Sequence, residues 1–138
     1  MKFGIPRTLY DDVHEQFRDT VVRFIQAEVL PHYESWEDAG RTPREIWKRA
    51  GEIGILGTSV PEAYGGMGGD FLFDAIVLEE LGRFGVAAPA WDMHAYIIAP
   101  FITHFGTEAQ KQEWLPRMAD GTMIASIGSL PSVSLILL

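Results

Sequence analysis

The protein has 138 residues, with 11 Lys and Arg against 19 Asp and Glu, so its formal net charge is −8. Nucleic acid is excluded as a partner, because binding to a phosphate backbone depends on Lys and Arg side chains that release counterions. The hydrophobic content of 47% excludes a disordered chain, and the absence of cysteine excludes disulfides, thiolate metal sites and a cysteine nucleophile.

The length predicts a single domain and is short for an enzyme that carries its own flavin or nicotinamide domain. The first seven residues lack the apolar segment and the small-residue cleavage site of a secretory signal. Together with the absence of cysteine, this predicts a cytoplasmic protein, with import into an organelle left open.

The first helix is predicted to begin at a capping box formed by Thr8 and Asp11 and to end at Pro31. Its apolar residues recur at spacings of three and four, which is typical of one buried helix face. These residues are Val13, Phe17, Val21, Phe24, Ile25 and Val29.

A second helix is predicted to begin with Thr42 as the N-cap and Pro43 at the first helical position, and to end at Gly54 and Gly57. Residues 60–70 follow, and their four glycines and one proline predict a structured loop. A phosphate cradle is the less favoured interpretation, because Phe71 stands where a dinucleotide fingerprint needs its third glycine.

The third helix is predicted over residues 71–82 with Asp70 as its cap, and the fourth over residues 90–105 with a kink or break at Pro100. Both are apolar on nearly every side, which predicts that they form the core hairpin of a helical bundle. The adjacent Glu79 and Glu80 point about 100° apart on a helix. We therefore interpret at least one of them as solvent-exposed or paired with an arginine such as Arg83, and we do not interpret the two as an acid/base pair.

A fifth helix is predicted from Thr107, with Gln110 completing a capping box, to near Gly121. The remaining residues, 121–138, carry no charge, and a membrane span needs about 20 apolar residues. Two glycines, one proline and four serines argue against a span, as does the missing basic flank. Residues 123–127 are instead predicted to begin a β-strand, which must find a partner.

No catalytic or metal-binding constellation stands out in the sequence. The four histidines have no metal-ligand spacing, and no nucleophile elbow occurs. His94 lies on an apolar segment, where a single histidine is more often a core residue than a catalyst.

The order and spacing of several motifs resemble the N-terminal helical domain of the acyl-CoA dehydrogenases. The motifs lie at residues 53–57, 61–69 and 78–81, with further similarity at 29–31, 36–37, 105–111 and 115–116. The resemblance runs from about residue 9 to about residue 127. It implies an all-α N-terminal bundle over residues 1–121, followed at 122–138 by the start of a truncated β-domain or an aberrant tail.

The resemblance implies a flavoprotein oxidoreductase that forms an α,β double bond in an acyl-CoA thioester. In this family a glutamate removes the α-proton, a hydride passes to FAD, and an electron-transferring flavoprotein accepts the electrons. This chain would supply part of the wall around the acyl chain, through Pro89, Ala90, Met93, His94 and Ile97. The small residues and the proline of this region resemble the long-chain branch of the family.

The sequence departs from the family where a Thr-Glu-Pro-Gly-x-Gly-Ser-Asp motif contacts FAD. Only Ser129 and Pro131 echo that motif, so Ser129 is the one cofactor-binding candidate, and no catalytic residue is assigned. We expect a truncated chain that binds no flavin and turns over no substrate alone, and whose apolar helices favour self-association. Two alternatives remain: a non-enzymatic helical module that binds other chains, and a split enzyme whose flavin domains come from a separate chain.

Overall fold

A computed structural model describes the backbone of residues 8–130 and 133–137 and the side chains of residues 8–128. Within that part the fold is all-α, with a two-stranded hairpin after the last helix. The predicted all-α fold class is therefore confirmed. The helices are α1 Asp12–Phe24, α2 Tyr33–Ala39, α3 Arg44–Glu52, α4 Phe71–Phe84, α5 Trp91–Met93, α6 Ala99–Phe105 and α7 Glu108–Ala119.

The first helix begins after Asp11. The Asp11 carboxylate accepts hydrogen bonds from the N–H groups of Val13 and His14, both at 3.0 Å, and the His14 ring accepts the N–H of Asp11 at 3.3 Å. Asp11 is therefore the N-cap itself, and its reciprocal partner is His14. The predicted capping box with Thr8 as the cap is wrong, because the carboxylate satisfies the free N–H groups of the first turn without the threonine.

Two prolines are accommodated by π-helical turns. The π turn Ile25–Val29 precedes Pro31, and the 3₁₀ turn Leu30–His32 carries the chain into α2. The prediction that Pro31 ends the first helix is wrong, because the α-helix itself ends at Phe24 while helical turns continue past the proline.

The same solution occurs at Pro100. The π turn His94–Ile98 precedes it, and the N–H of Ala99 donates to the carbonyl of His94, five residues earlier. Proline lacks an N–H, and a π turn redirects the neighbouring backbone hydrogen bonds around it. The kink or break predicted at Pro100 takes the form of this π turn, and the helix continues beyond the proline to Phe105.

The start of α3 differs from the prediction by one residue. Pro43 is the N-cap, and the Thr42 hydroxyl instead accepts a hydrogen bond from the indole N–H of Trp47 at 3.2 Å. The helix ends at Glu52, and Gly54 follows with φ +86°, a conformation that favours glycine.

The caps predicted for α4 and α7 are confirmed. Asp70 accepts the N–H of Leu72 at 2.9 Å, and Thr107 and Gln110 form a reciprocal capping box. Helix α4 continues to Phe84, two residues beyond the predicted end at Gly82, because Gly85 is the glycine that adopts the left-handed conformation.

The tail forms a hairpin. Strand β1 (Ser126–Leu130) pairs antiparallel with β2 (Val133–Leu137), with Ser126 opposite Leu137 and Leu130 opposite Val133. The strand begins at Ser126, because Met123 and Ala125 are buried in the helical bundle instead. No helix in the described part of the chain has the length and apolarity that a membrane crossing requires.

The described side chains form two buried apolar clusters. The larger one joins α1, α3 and α4 around Trp91, whose ring lies 5.8 Å from that of Phe24 and 6.4 Å from that of Trp47. The smaller one packs the fourth predicted helical segment against α7 and the residues that follow it. In the structure this segment consists of α5, the π turn His94–Ile98 and α6. Its members are Val60, Ile98, Ala99, Ile102, Leu115, Met118, Met123 and Ala125.

Candidate functional site

A row of exposed apolar side chains runs along the fourth helical segment. Met93, Ile97, Phe101 and Phe105 succeed one another at intervals of four residues and are 38%, 53%, 51% and 75% exposed. The rings of Phe101 and Phe105 lie 5.1 Å apart between centroids. Large apolar side chains at this spacing share one helix face, and a contiguous exposed apolar surface is typical of a binding surface. We call these four residues the apolar stripe.

The turn before α5 carries two further predicted site residues. Pro89 is buried and follows a cis peptide bond, whereas Ala90 is exposed with φ +65°. The hydroxyl of Tyr33 accepts the N–H of Ala87 at 3.0 Å and that of Ala88 at 3.4 Å, which ties this turn to α2. Pro89 and Ala90 line a groove of about 380 Å³ whose opposite side includes Trp36 and Arg41.

His94 does not lie on the apolar stripe. Its side chain is fully buried, and its Nε2 lies 3.1 Å from the carbonyl oxygen of Met118 while Nδ1 accepts the N–H of Ala125 at 3.1 Å. A carbonyl oxygen only accepts, so Nε2 carries the proton and the ring is neutral. Burial lowers the pKa of His94, which favours the same neutral form. The structure thus separates His94 from Met93 and Ile97, with which the sequence grouped it.

The adjacent carboxylates of α4 both bind Arg18. Its Nη1 donates to Glu79 at 3.0 Å and to Glu80 at 2.8 Å, and Arg83 donates to the other oxygen of Glu80 at 3.1 Å. The predicted pairing with Arg83 is confirmed, while the role of Arg18 was missed because it lies about 60 residues earlier in the chain. These carboxylates bind α1 to α4 and are not arranged as an acid/base pair.

The glycine-rich loop is closed by its own hydrogen bonds. The N–H groups of Met67, Gly68 and Gly69 donate to the carbonyls of Gly57, Val60 and Thr58 at 2.8–2.9 Å. The N–H groups of Gly65 and Gly66 donate to the carbonyls of Glu62 and Pro61. A phosphate cradle needs free N–H groups, and this loop directs all five inward.

A second constraint on the loop is steric. A Cβ atom on Gly66 would lie 2.0 Å from the carbonyl oxygen of Val60, so the glycine permits a close approach of two backbone segments. The loop therefore does not fit the diphosphate of FAD. Ser129, the cofactor candidate from the sequence, belongs to β1, and its side chain lies outside the described residues.

Metal binding finds no support in the geometry. Over residues 8–128, no three His, Asp or Glu side chains come together as a metal site. The structure does not bring the predicted site residues together, because the groove beside Pro89 and Ala90 is lined by none of the four residues of the apolar stripe.

Comparison with known proteins decides the family. The family model for the acyl-CoA dehydrogenase N-terminal domain matches residues 11–122. This chain belongs to the acyl-CoA dehydrogenase family. It is 38% identical over 121 residues to the mitochondrial long-chain specific acyl-CoA dehydrogenase of Rattus norvegicus, covering 88% of this chain and 28% of the rat protein.

Two solved structures agree with this family. The acyl-CoA dehydrogenase of Geobacillus kaustophilus superposes with a TM-score of 0.83 and 36% identity, over 91% of this chain and 33% of that one. The Bacillus anthracis acyl-CoA dehydrogenase complexed with FAD superposes with a TM-score of 0.80 and 34% identity, over 94% of this chain and 22% of that one. This chain thus spans about a third or less of each of these proteins. Its cytoplasmic location remains a prediction from the sequence.

Two members of the stripe were missing from the sequence-based site. Phe101 and Phe105 continue the row begun by Met93 and Ile97, and the spacing of four was visible in the sequence. The signal was overlooked because residues 90–105 are apolar on nearly every side, so the exposed face could not be separated from the buried one without the structure.

Proposed function

We propose that this chain is the helical part of an FAD-dependent acyl-CoA dehydrogenase that introduces an α,β double bond into acyl-CoA thioesters during fatty-acid oxidation. The observation that carries the proposal is the family match over residues 11–122, combined with an exposed apolar face in the fourth helical segment. Electron-transferring flavoprotein is the proposed acceptor of the electrons.

The stripe residues Met93 and Ile97, with Pro89 and Ala90, are proposed as part of the wall around the acyl chain. Each buried methylene of a ligand contributes about 0.8 kcal/mol, so an apolar row favours long acyl chains over short ones. A preference for long chains is also supported by the 38% identity to a relative named as long-chain specific.

The FAD site and the base that removes the α-proton are proposed to lie outside the described residues. The closed glycine loop supports this, because the N–H groups of residues 65–69 all donate to backbone carbonyls and are not available to a phosphate. The rat and Geobacillus kaustophilus relatives are each about three or more times as long as the region that they share with this chain. The remaining domains would be supplied by further sequence or, in the split-enzyme alternative, by a separate chain. On this proposal the 138-residue chain is colourless and inactive by itself.

The alternative function is a helical association module that binds other chains or itself. The same exposed stripe favours it, since half-exposed phenylalanine and isoleucine side chains lower the free energy of association when they are buried. The two proposals differ in what the stripe contacts: an acyl chain in one case, a protein surface in the other.

A chimera separates the two proposals. Residues 8–128 replace the matching third of the Geobacillus kaustophilus enzyme, and the purified protein is examined for flavin absorbance and for dye reduction with acyl-CoAs of increasing length. We expect a yellow, active protein in which Ile97→Trp shifts the preferred substrate toward shorter chains. The control is Val13→Trp, on α1 and 60% exposed, which should leave the chain-length profile unchanged.

The outcomes are distinct. A chimera that binds FAD but reduces no dye with any acyl-CoA would contradict the proposed enzyme function. An active chimera whose chain-length profile is the same with Trp at position 97 would contradict the wall role alone. A 138-residue chain that sediments as an oligomer while the chimera is inactive would favour the association module.

A further inference from the structure

A buried histidine connects three separate parts of the chain. His94 is the first residue of the π turn His94–Ile98, its Nε2 donates to the carbonyl of Met118 near the end of α7, and its Nδ1 accepts the N–H of Ala125. Ala125 is the last residue before β1, which packs against the same π turn. The imidazole thus lies where the chain leaves the helical bundle and enters the hairpin.

We propose that His94 is a positioning residue, whose neutral ring in the Nε2–H form fixes where β1 leaves the helical bundle. One ring nitrogen donates and the other accepts, so only this tautomer satisfies both backbone partners at once. A protonated ring would present an N–H to the N–H of Ala125, and the hydrogen bond would be replaced by repulsion. The position of β1 therefore depends on the protonation state of one side chain.

The surroundings hold the ring in the neutral form. Trp47 on α3 covers it edge-on at 5.2 Å, and burial lowers the pKa of His94 against the opposing effect of the hydrogen bond to the Met118 carbonyl. The charged residues nearest in sequence on the elements around it, Lys48, Asp92, Arg117 and Asp120, are all exposed. Without a carboxylate to stabilise an imidazolium, the uncharged ring is the state that this site favours.

The backbone partners leave little freedom to substitute for the ring. Ala125 is 4% exposed and Met118 is fully buried, so water does not reach the Ala125 N–H or the Met118 carbonyl to replace either hydrogen bond. A buried N–H left without a partner costs about 1–3 kcal/mol. The segment from Met118 to Ala125 therefore moves outward if the ring stops accepting from Ala125.

Two conservative variants separate the two hydrogen bonds. The Oδ1 atom of asparagine takes the place of Nδ1, so His94→Asn keeps an acceptor for Ala125. The Nε2 atom of glutamine takes the place of the ring Nε2, so His94→Gln keeps a donor for Met118 and loses the acceptor. The exposed His104 lies on α6, and His104→Asn is the matched control.

The test is nuclear magnetic resonance on the 138-residue chain. We expect the nitrogen shifts of His94 to show a protonated Nε2 and an unprotonated Nδ1 at neutral pH. We expect the Ala125 amide to exchange with solvent about tenfold faster in His94→Gln than in His94→Asn, and at the wild-type rate in His104→Asn. On acidification, the Ala125 amide resonance should shift with the same midpoint as the His94 ring.

A protonated Nδ1 in the wild-type protein would overturn the proposal, and so would equal Ala125 exchange in the asparagine and glutamine variants. If either variant fails to fold, the wild-type ring shifts and their pH titration still decide the question. The consequence for catalysis rests on the proposed function. In the chimera, wild-type activity should fall toward acidic pH as the His94 ring protonates, whereas His94→Gln, which lacks the acceptor throughout, should lower activity at every pH. His94→Asn should keep the activity and remove the acid-side fall, and an inactive chimera would leave the resonance result intact.

Discussion

The guanidinium of Arg18 on α1 donates to the buried carboxylate of Glu80 on α4 at 2.8 Å, although the two residues are 62 positions apart. Glu80 is 2% exposed, and its other oxygen accepts from Arg83 at 3.1 Å. Glu79, its neighbour, accepts from the same Arg18 at 3.0 Å and from the hydroxyl of Tyr10 at 3.1 Å. A buried charge is tolerated only when it is paired, so this network holds α1 and α4 in one relative position.

Arg18→Met should destabilise the protein by about 3 kcal/mol, because it leaves the carboxylate of Glu80 buried with one exposed arginine as its remaining partner. The measurement is urea unfolding followed by tryptophan fluorescence. The control is Arg49→Met, whose partners Glu28 and Glu52 lie on the surface, with an expected loss below about 1 kcal/mol. Equal losses of unfolding free energy in the two variants would show that the burial of Glu80 adds nothing to the contribution of its ion pair with Arg18.

Two helical glycines should respond with opposite sign to the same substitution. A Cβ on Gly82 of α4 meets nothing within 4 Å, whereas one on Gly51 of α3 would lie 2.5 Å from the backbone carbon of Asp120. Gly82→Ala should raise the free energy of unfolding by about 0.5–1 kcal/mol, because alanine loses less backbone entropy in a helix. Gly51→Ala should lower it by about 1–3 kcal/mol through overpacking. Thermal unfolding monitored by circular dichroism measures both, and a stabilising Gly51→Ala would contradict the close packing of α3 on the α7 terminus.

The buried carboxyl of Asp74 predicts a pH dependence of stability. Burial raises its pKa above 3.8 against the opposing effect of hydrogen bonds from Thr58 and Ser59. Folding thus favours the protonated form, and the stability from this group is present below pH 3.8 and is lost as pH rises through the folded pKa. Asp74→Asn, which keeps an oxygen for Thr58, should therefore be more stable than wild type at pH 7 and lose that advantage near pH 3. An advantage that does not change between these two pH values would mean that ionisation of Asp74 is not its cause.

The apolar stripe should govern self-association of the isolated chain. We expect the wild-type protein to sediment as oligomers at micromolar concentration, and Ile97→Gln with Phe101→Gln to sediment as a monomer of unchanged stability. These side chains are 53% and 51% exposed, so their replacement leaves no cavity. The matched control Val13→Gln removes an apolar side chain that is 60% exposed on α1 and should not alter the sedimentation. A wild-type chain that is monomeric at every concentration would rule out the stripe as a protein contact.

Local signals predicted a helix start correctly where a single candidate cap residue precedes the helix. Asp70 and Thr107 cap their helices as expected, because each hydroxyl or carboxylate bonds an N–H within three residues. The same reasoning failed at the start of α1, where two candidate caps stand three residues apart and only the backbone geometry shows that Asp11 is used.

The sequence predicted that Pro31 and Pro100 disturb the helical hydrogen bonds, but not the form that this disturbance takes. A missing N–H at Pro31 and Pro100 is a property of the sequence, and a break in the hydrogen-bond pattern follows from it. Whether the helix stops or passes through a π turn depends on packing. At Pro100 the continuing helix keeps Ile98, Ala99 and Ile102 in the core, fully buried or nearly so.

The candidate site was partly predictable. Motif order indicated the family and the region around residues 89–97, and the comparison with known proteins confirmed the family. Sequence grouped His94 with Met93 and Ile97 because the three are neighbours on one apolar segment. Only the structure showed that two of them are exposed while the histidine is buried with both nitrogens bonded.

The all-α class and the starts of α4 and α7 followed from the sequence alone, because capping, glycine and proline signals act within a few residues of one another. The family followed from the order of the motifs. Tertiary structure decided which faces of the apolar segments are buried, which arginine neutralises Glu80 and which tautomer His94 adopts. Those outcomes depend on groups that lie 24 to 62 residues apart and that meet only once the helices pack.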